Sequence, residues 1–328
     1  MFKGGKGIRV KRTLRLTSPA KVNLRLEILQ KRKDGYHEIR TLFQKISLHD
    51  TIDFSLRKER GISITTNCPD LPVGGKNLVY KAAQVILSRS GYSGGVSIHI
   101  EKKIPLGAGL GGGSSNAATT LIALNKLLEL SLTQKELMAM GVRIGADVPF
   151  FFFEGGAIAT GIGERLKKVE LPFLGYILIY PNFEVSSRWA YQNFALPRRL
   201  LQPQAIRAGV KTRSGVILSN LPSLDGAGEG LTKVKFRFKI QEFLDTPVGI
   251  SKCLFNDLEK GVSQKFPQID QMKEILVSAG ALGSLMTGSG PTVFGLFSDK
   301  EETLRAYRKI KNRIEGHGWI ALKAHSVS

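Results

Sequence analysis

The spacing of hydrophobic and polar residues separates predicted strands from predicted helices in the first half of the chain. Alternation at every second residue predicts strands over 13–17, 22–29, 51–57 and 96–101. Apolar positions three and four residues apart predict helices near 77–90, 115–129 and 133–144. The first half is therefore expected to be a mixed unit of strands and helices that ends near residue 172.

A second unit is predicted to begin with an uninterrupted apolar stretch, 175–180, which Pro181 ends. A helix near 187–194 follows. Towards the end of the chain the pattern predicts helix 266–279, strand 283–287, strand 292–298, helix 300–314 and strand 318–324. This succession is close to the split βαβ arrangement called ferredoxin-like.

Composition adds two basic segments to this division. Residues 1–15 contain six Lys and Arg and no acid, and residues 198–239 contain nine against two acids. We therefore predict a basic arm over 1–12, a first domain over 13–172 and a second domain over 173–328 that carries a basic insertion at 197–240.

The net charge of +21 over 328 residues favours anionic partners, either polymers or small substrates. Neither basic segment overlaps the glycine-rich stretch described below, and neither alternates with aromatic residues as a base-stacking surface does. We interpret both as solvated surface. Nucleic-acid binding remains the alternative that charge alone suggests, and salt-dependent retention without ATP turnover would favour it.

Cysteine content and hydropathy limit the compartment. The two cysteines, Cys68 and Cys253, offer neither a disulfide framework nor metal-ligand spacing. No apolar run approaches the roughly 20 residues that span a bilayer. The basic N-terminal segment lacks the apolar core of a secretory signal. We therefore expect a cytoplasmic protein with no membrane partner and no metal held by the protein itself.

The stretch PLGAGLGGGSSNAA, residues 105–118, lies between a predicted strand and a predicted helix. Five of the seven residues 107–113 are glycine, so few Cβ atoms keep the backbone away from a bulky anion. A loop at a helix N-terminus also directs free N–H groups and the helix dipole at phosphate. We predict a phosphate-binding loop rather than a flexible linker, because apolar periodic segments flank it on both sides.

Two other phosphate-binding loops fit this stretch less well. A Walker loop needs a Lys-Ser/Thr pair after its last glycine, and none follows here. Gly107, Gly109 and Gly112 satisfy the dinucleotide pattern G-x-G-x-x-G. A Rossmann unit, however, places its strand directly before the first glycine, and Lys102 and Lys103 intervene here.

Three further motifs carry candidate chemistry. The string SPAKVNL begins a predicted strand and puts Lys21 and Asn23 on one face. The string GADVPF places Asp147 in a tight loop before a run of phenylalanines, and TGSGPT, residues 287–292, is a second glycine turn between two predicted strands. Taken singly, each also fits a structural role: a charge at a strand edge, a turn or cap residue, and an ordinary hairpin.

Together with the glycine loop, these motifs resemble the GHMP kinase superfamily, whose three motifs occur in this order. The chain is also similar to the branch that phosphorylates a cytidine diphosphate derivative of methylerythritol, through the strings SPAKVNL, DGYHEI, KNLVYKAA, LGAGLGGGSSNAA, GADVPFF, NDLE and MTGSGPTVFGLF. The resemblance runs from about residue 17 to the C-terminus, except for the basic insertion. It implies an α+β, two-domain fold, with an N-terminal unit like ribosomal protein S5 domain 2 and a ferredoxin-like C-terminal unit.

The resemblance also implies an ATP-dependent kinase in which Lys21 and Asp147 are the catalytic pair. Asp147 would accept the proton of the attacking hydroxyl, and Lys21 would offset the charge of the transferred phosphoryl group. Mg²⁺ would be bound mainly through the nucleotide phosphates. The implied ATP contacts are Asn77 and the loop residues Pro105, Leu106, Gly107, Ala108, Gly109, Leu110, Gly111, Gly112, Gly113, Ser114, Ser115 and Asn116.

The substrate contacts implied by the resemblance divide between the two ends of the molecule. Tyr36 and His37 would stack on and hydrogen-bond the cytosine, and Tyr191 would supply the second aromatic face. Asn23 would face the erythritol portion. The remaining implied substrate contacts are Ser187, Gly288 and Ser289.

The implied reaction is phosphorylation of the 2-hydroxyl group of the substrate, in non-mevalonate isoprenoid precursor synthesis. Homoserine and mevalonate-type kinases remain the alternatives within the superfamily, because they share the phosphate loop. They differ in lacking the DGYH string in a cytidine-reading role. We expect a monomer or homodimer whose partner is a small molecule bearing cytidine diphosphate, with no specific nucleic acid.

Overall fold

The computed structural model describes residues 12–194 and 243–327. Of the predicted basic arm only Arg12 falls within this part, and the predicted insertion at 197–240 lies outside the described residues. The described residues form two sheets, one of seven strands and one of four.

Two long antiparallel strands, β1 (Thr13–Lys31) and β2 (His37–Arg57), form the centre of the first sheet. β3 (Gly61–Thr66) and β4 (Gly95–Glu101) extend it beyond the later half of β2. The earlier half of β2 pairs with β5, and β5 pairs with β6. These last strands span Gly156–Gly161 and Arg165–Val169.

Three helices cover one face of this sheet and bury its largest apolar cluster. They are α1 (Leu78–Ser90), α2 (Gly112–Leu127) and α3 (Gln134–Ile144). A short 3-10 helix, Val148–Phe152, follows α3 and packs against it and α2. Asn77 and Thr133 cap α1 and α3 with their side chains, whereas α2 begins after a glycine and has no side-chain cap.

The predicted strands 13–17 and 22–29 are wrong as two separate elements, because β1 is continuous through Pro19. Proline lacks a ladder donor and usually interrupts a strand. Here β1 passes it with a register shift between Pro19 and Ala20. The prediction also shortened β2 to 51–57. Residues 41–46 of β2 are all buried, so its first half shows no alternation to detect.

The second sheet has the strand order β11-β7-β10-β9, with every pair antiparallel. Its strands are β7 (Gly175–Tyr180), β9 (Gly283–Met286), β10 (Val293–Phe297) and β11 (Ile320–His325). All six residues of β7 are buried, which explains the unbroken apolar stretch. This order is that of the predicted ferredoxin-like unit, and the α+β fold is confirmed.

Five helices accompany the second sheet within the described residues: α4 (Ser187–Gln192), α5 (Pro247–Cys253), α6 (Glu259–Lys265), α7 (Gln268–Ser278) and α8 (Lys300–Arg313). The sequence pattern did not predict α5 and α6, since each has only seven residues and cannot show a clear period. The predicted helix 187–194 ends two residues early, at Gln192. No described helix is both long and apolar enough to cross a membrane.

The two sheets are joined by short pairings between distant parts of the chain. β8 (Phe255–Asn256), from the second half, pairs in parallel with β1. Ser326 bridges Ile46, and the N–H of Val327 donates to the carbonyl of Lys45 at 3.0 Å. A buried apolar cluster also takes residues from both sheets. The predicted domain boundary at residues 172 and 173 stays a prediction.

Candidate active site

The glycine-rich loop adopts a conformation that requires glycine. Gly107, Gly109 and Gly111 have φ values of 60°, 78° and 70°, in the left-handed region where other residues are strained. Gly111 is the N-cap of α2, which starts at Gly112 rather than at the predicted residue 115. The first N–H groups of α2 therefore have neither a helical partner nor a side-chain cap. Such an uncapped N-terminus is suited to an anion.

Hydroxyl and amide groups fasten the underside of this loop to β1. Ser18 Oγ lies 2.8 Å from Ser115 Oγ and 2.7 Å from Asn116 Oδ1, and all three side chains are buried. The structure thus places Ser115 and Asn116 beneath the loop. Their predicted contact with ATP stays a prediction, while Ser114, which is less buried, precedes them in the first turn.

A buried ion pair anchors the start of the loop, and no motif in the sequence predicted it. Asp50 is fully buried and pairs with the ammonium of Lys102 at 2.6 Å. Its other oxygen accepts from the N–H groups of Lys103 and Ile104 at 2.8 and 2.9 Å. In the sequence, Lys102 was noted only as one of the residues that separate the predicted strand from the first glycine. Asp50, distant in sequence, carried no recognisable motif.

The second glycine turn packs directly on the first. A Cβ atom at Gly290 would lie 2.2 Å from the backbone nitrogen of Gly109, and one at Gly109 would lie 2.5 Å from the carbonyl oxygen of Thr287. Only glycine permits this approach. Asn256 fixes the turn by donating from Nδ2 to the carbonyls of Met286 and Gly288, at 2.7 and 2.8 Å. The turn is thus a hairpin between β9 and β10 and also one wall of the site.

Lys21 lies where these loops meet. Its buried ammonium lies 2.6 Å from Asn23 Oδ1, 3.0 Å from the carbonyl oxygen of Gly109 and 3.6 Å from Asp147 Oδ2. A Cβ at Gly288 would come within 3.3 Å of the same nitrogen. Burial lowers the pKa of Lys21, and the negative charge of Asp147 opposes that shift. The structure therefore brings together the predicted catalytic pair and the predicted Gly288.

Asp147 is held by its backbone while its carboxylate stays accessible. It is the N-cap residue of the 3-10 helix but makes no capping hydrogen bond with its side chain. Its carbonyl accepts from the N–H of Phe150 at 3.2 Å. The side chain is 34% exposed, against 5% for Lys21. One oxygen of this carboxylate faces the lysine, and the group remains open to a second partner.

Asn23 uses its amide within the protein. Its Oδ1 accepts from Lys21, its Nδ2 donates to Thr41 Oγ1 at 2.8 Å, and its backbone N–H donates to Thr287 Oγ1 at 3.0 Å. The structure therefore shows Asn23 orienting the lysine. Its predicted contact with the erythritol portion stays a prediction, as does the ATP contact of Asn77. The amide of Asn77 is occupied by the N–H of Val79 and the carbonyl of Pro72, at 2.8 and 2.6 Å.

Of the predicted cytosine-binding aromatics, Tyr191 lies near Asp147 and contacts His37. The rings of His37 and Tyr191 stack with centroids 5.4 Å apart and an angle of 28° between them. Tyr36, predicted to face Tyr191 across the base, is 59% exposed. Burial and the charge of Lys31 lower the pKa of His37. Burial and the charge of Asp147 raise the pKa of Tyr191, so the tyrosine is close enough to sense the carboxylate.

Two hydroxyl groups close the space between these aromatics and the glycine turn. Ser187, the first residue of α4, and Ser289 have their Oγ atoms 2.6 Å apart. Both were predicted as substrate contacts; Ser187 is exposed and Ser289 is half-buried. The structure thus brings the two serines together but leaves their contact with substrate as a prediction.

Similarity to known proteins agrees with this geometry. Residues 77–155 match the family described as GHMP kinases N terminal domain, and residues 245–316 match GHMP kinases C terminal. The 4-diphosphocytidyl-2-C-methyl-D-erythritol kinase of Geobacter sp. (strain M21) is 41% identical over 315 residues, which cover 96% of this chain and 99% of that protein. The enzyme of the same name from Syntrophus aciditrophicus (strain SB) is 43% identical and covers 89% of the chain, with 93% of its own length matched.

A crystal structure supports the same assignment. That structure, of a 4-(cytidine 5'-diphospho)-2C-methyl-D-erythritol kinase, is 31% identical in sequence and superposes with a TM-score of 0.69. The match covers 96% of this chain and 100% of the other. Sequence identity and fold therefore agree over nearly the whole length, and the resemblance inferred from the motifs is confirmed. The chain belongs to the 4-diphosphocytidyl-2-C-methyl-D-erythritol kinase family of the GHMP kinases.

Proposed function

We propose that this protein transfers the γ-phosphoryl group of ATP to the 2-hydroxyl group of 4-diphosphocytidyl-2-C-methyl-D-erythritol. The observation that carries the proposal is the 3.6 Å approach of Lys21 Nζ to Asp147 Oδ2, beside the uncapped N-terminus of α2. A base, a cation and a phosphate-binding loop within one cleft are what transfer to an alcohol needs. The family membership supports the identity of the alcohol.

Asp147 is the group that takes the proton. Its carboxylate is exposed on one side and is not used as a helix cap, so a substrate hydroxyl can reach it. As the hydroxyl oxygen attacks the γ-phosphorus, its proton passes to Asp147 and the bond to the β-γ bridging oxygen breaks. ADP leaves with that oxygen, and the alcohol becomes a phosphate ester.

Lys21 stabilises the negative charge on the phosphoryl group during transfer. Its ammonium is fixed by Asn23 Oδ1 and the carbonyl of Gly109, so it needs no reorganisation to meet the transferred group. A buried cation acts more strongly than an exposed one because water screens it less. Gly109 also belongs to the phosphate loop, which ties the position of the lysine to that of the nucleotide.

Mg²⁺ fits this cleft through the nucleotide rather than through a protein cluster. Among the described residues, no three His, Cys, Asp or Glu side chains form a ligand set. Mg²⁺ commonly takes one or two carboxylates and completes its shell with phosphate oxygens and water. Glu184 is the carboxylate beside the loop that would hold the ion, which would neutralise phosphate charge. A Cβ at Gly107 would touch the side chain of Glu184.

The cytidine end of the substrate is assigned to the stacked aromatic pair. The centroid separation of 5.4 Å between His37 and Tyr191 leaves no room for a base between them. Cytosine would therefore displace His37 from Tyr191 and stack on the tyrosine, with the exposed Tyr36 closing on the opposite face. The lowered pKa favours the neutral form of the His37 ring, which can both donate and accept a hydrogen bond.

The cytoplasm is the compartment we propose for this activity. Both Cys68 and Cys253 are free thiols, as expected in a reducing compartment. We propose a monomer or homodimer that binds its substrate without a nucleic-acid or membrane partner.

Product formation from a panel of alcohols tests the proposal. The protein is incubated with Mg-ATP and 4-diphosphocytidyl-2-C-methyl-D-erythritol, its uridine analogue, free methylerythritol, homoserine or mevalonate, and ADP release is followed. We expect turnover of the cytidine compound alone. Turnover of homoserine or mevalonate would instead support another GHMP kinase activity. Retention on DNA that weakens with salt, without ATP turnover on any alcohol, would favour nucleic-acid binding.

Substitution of the cytosine-facing residues tests the specificity. Tyr36→Ala is expected to weaken binding of the cytidine substrate by about 1–3 kcal/mol, the contribution of one base-aromatic stack. It should leave ATP binding unchanged. His37→Ala is expected to lose the preference for cytosine over uracil, because unpaired hydrogen-bonding groups reject the wrong base. The measurement is kcat/KM on the cytidine and uridine compounds. Tyr80→Ala, a tyrosine on α1, is the control, and an equal loss there would contradict the assignment.

A further inference from the structure

Lys45 is a buried lysine that the mechanism above leaves unused. It lies on β2 directly opposite Lys21 of β1 in the antiparallel register. Its ammonium donates to the carbonyl of Phe151 at 3.1 Å and, more closely, to that of Phe153. Phe151 lies in the last turn, and Phe153 is the C-cap, of the 3-10 helix whose N-cap is Asp147. A buried ammonium thus holds one end of the element that carries the base at its other end.

The backbone of Lys45 makes one more bond to the segment after the 3-10 helix and one to the segment after β11. Its N–H donates to the carbonyl of Gly155 at 3.4 Å, and its own carbonyl accepts from Val327 at 3.0 Å. Carbonyl groups at the end of a helix lack helical partners, and a cation there is favourable. The short helix is therefore fixed by a strand that also forms the floor beneath Lys21.

Aromatic rings separate the two buried ammonium groups. Lys21 lies over the ring of Phe43 at 5.3 Å, and Lys45 over that of Phe150 at 5.8 Å. Phe43 and Phe150 contact one another with centroids 4.9 Å apart. Phe150 lies in the 3-10 helix, so the position of that helix is coupled to the surroundings of both lysines.

The charges that face Lys45 come from several elements. Glu154 follows the 3-10 helix and attracts the ammonium, and Lys168 of β6 pairs with that carboxylate at 3.9 Å. Lys21 faces it from β1, with Asp147 beyond. Burial is the dominant effect and lowers the pKa of Lys45 to about 8. The ammonium is thus protonated below pH 8 and loses its proton as the pH rises above that value.

We propose that Lys45 is a positioning residue for Asp147, because it fixes the carboxyl end of the helix that this aspartate begins. The inference rests on the proposed function, in which Asp147 takes the proton. With the far end fixed, a helix of five residues cannot rotate, and the carboxylate stays beside Lys21. Without the ammonium the helix end is released, and Asp147 moves relative to the phosphate loop.

Two substitutions at this position test the inference. Lys45→Met keeps the length of the side chain but removes the donor, and Lys45→Arg keeps a charge that does not titrate. We expect Lys45→Met to lower kcat about tenfold to a hundredfold, the range for a small misplacement of a reacting group, with the KM for ATP within about twofold. Lys45→Arg is expected to restore part of the loss. The control is Lys273→Met, which removes the lysine that pairs with Glu259 and should leave kcat unchanged.

A pH profile adds a readout that a merely structural lysine would not change. The kcat of the wild type is expected to fall above about pH 8, as Lys45 loses its proton. In Lys45→Arg this fall should move to higher pH, because a guanidinium stays charged throughout the range. Thermal unfolding of each variant is measured alongside, so that kcat is compared between folded enzymes.

Either of two results would overturn the inference. One is a Lys45→Met enzyme with wild-type kcat. The other is a Lys45→Arg enzyme whose alkaline limb coincides with that of the wild type, and this result decides the matter if Lys45→Met does not fold. Failure of the proposed function is separate and would appear in the wild type itself, as absence of turnover on the cytidine compound.

Discussion

Asp147→Asn should abolish nearly all phosphoryl transfer while ATP still binds. Asparagine has almost the shape of aspartate but cannot take the proton of the attacking hydroxyl, and loss of a general base costs about 10²–10⁴ in rate. Asp147 does not cap its helix with its side chain, so asparagine should leave that helix in place. The measurement is single-turnover formation of phosphorylated product, together with the dissociation constant of ATP.

An aspartate on β2, away from the cleft, provides the matched control. Asp53 pairs with Arg15 at 2.6 Å, and its side chain is 35% exposed, close to the exposure of Asp147. Exposed ion pairs contribute little to stability, so Asp53→Asn should behave as wild type. An Asp147→Asn enzyme that keeps more than half of the wild-type turnover would show that another group takes the proton.

Lys21→Met is expected to lower kcat by about 10²–10³, the typical cost of removing one fixed donor from a transition state. Methionine fills most of the space over Phe43, so the loss reports on the ammonium rather than on packing. Because the ammonium serves the reacting group, saturating ATP should not recover the rate. Steady-state kinetics over a range of ATP concentrations measure this effect, and full recovery at high ATP would reduce Lys21 to a nucleotide-binding residue.

The double substitution sharpens this prediction. Lys21 and Asp147 are 3.6 Å apart and act in one step, so their effects should not add. We expect the double variant to be about as slow as Asp147→Asn alone. Lys126→Met, at an exposed position near the far end of α2, controls for the loss of a lysine. Fully additive losses would mean that the two residues act in separate steps.

The elements that could be predicted from the sequence are those with one buried face or a clear capping residue. β4, α1 and α3 were found within a residue or so of their ends, since each has one buried face or a clear cap. β2 was found only in part, because its first half is buried on both faces and lost its alternation. β5 and β6 gave little signal at all, since β5 is short and glycine-bounded and β6 is mostly polar.

The site residues that lie in a recognisable motif could be predicted from the sequence. Those that are brought to the site only by packing could not. Lys21 and Asp147 came from the resemblance, because no spacing rule brings two such distant positions together. Asp50 and Lys45 escaped notice for the same reason. The partners of each depend on the register in which β2 pairs. The pairing of β1 with β2 shifts at several buried residues, and such shifts cannot be predicted from the pattern of polar and apolar positions.

The contact between Gly109 and Gly290 determines when the nucleotide cleft can form during synthesis. Gly109 emerges from the ribosome 181 residues before Gly290, yet their backbones touch. β7 also lies between β10 and β11, both made long after it, so its two edges stay unpaired until then. A nascent chain can complete the first sheet except for β8, but it lacks one wall of the cleft. The cleft is therefore completed only after Gly290 is made, and the strand Gly175–Tyr180 stays uncovered on the growing chain until β10 and β11 pair with it.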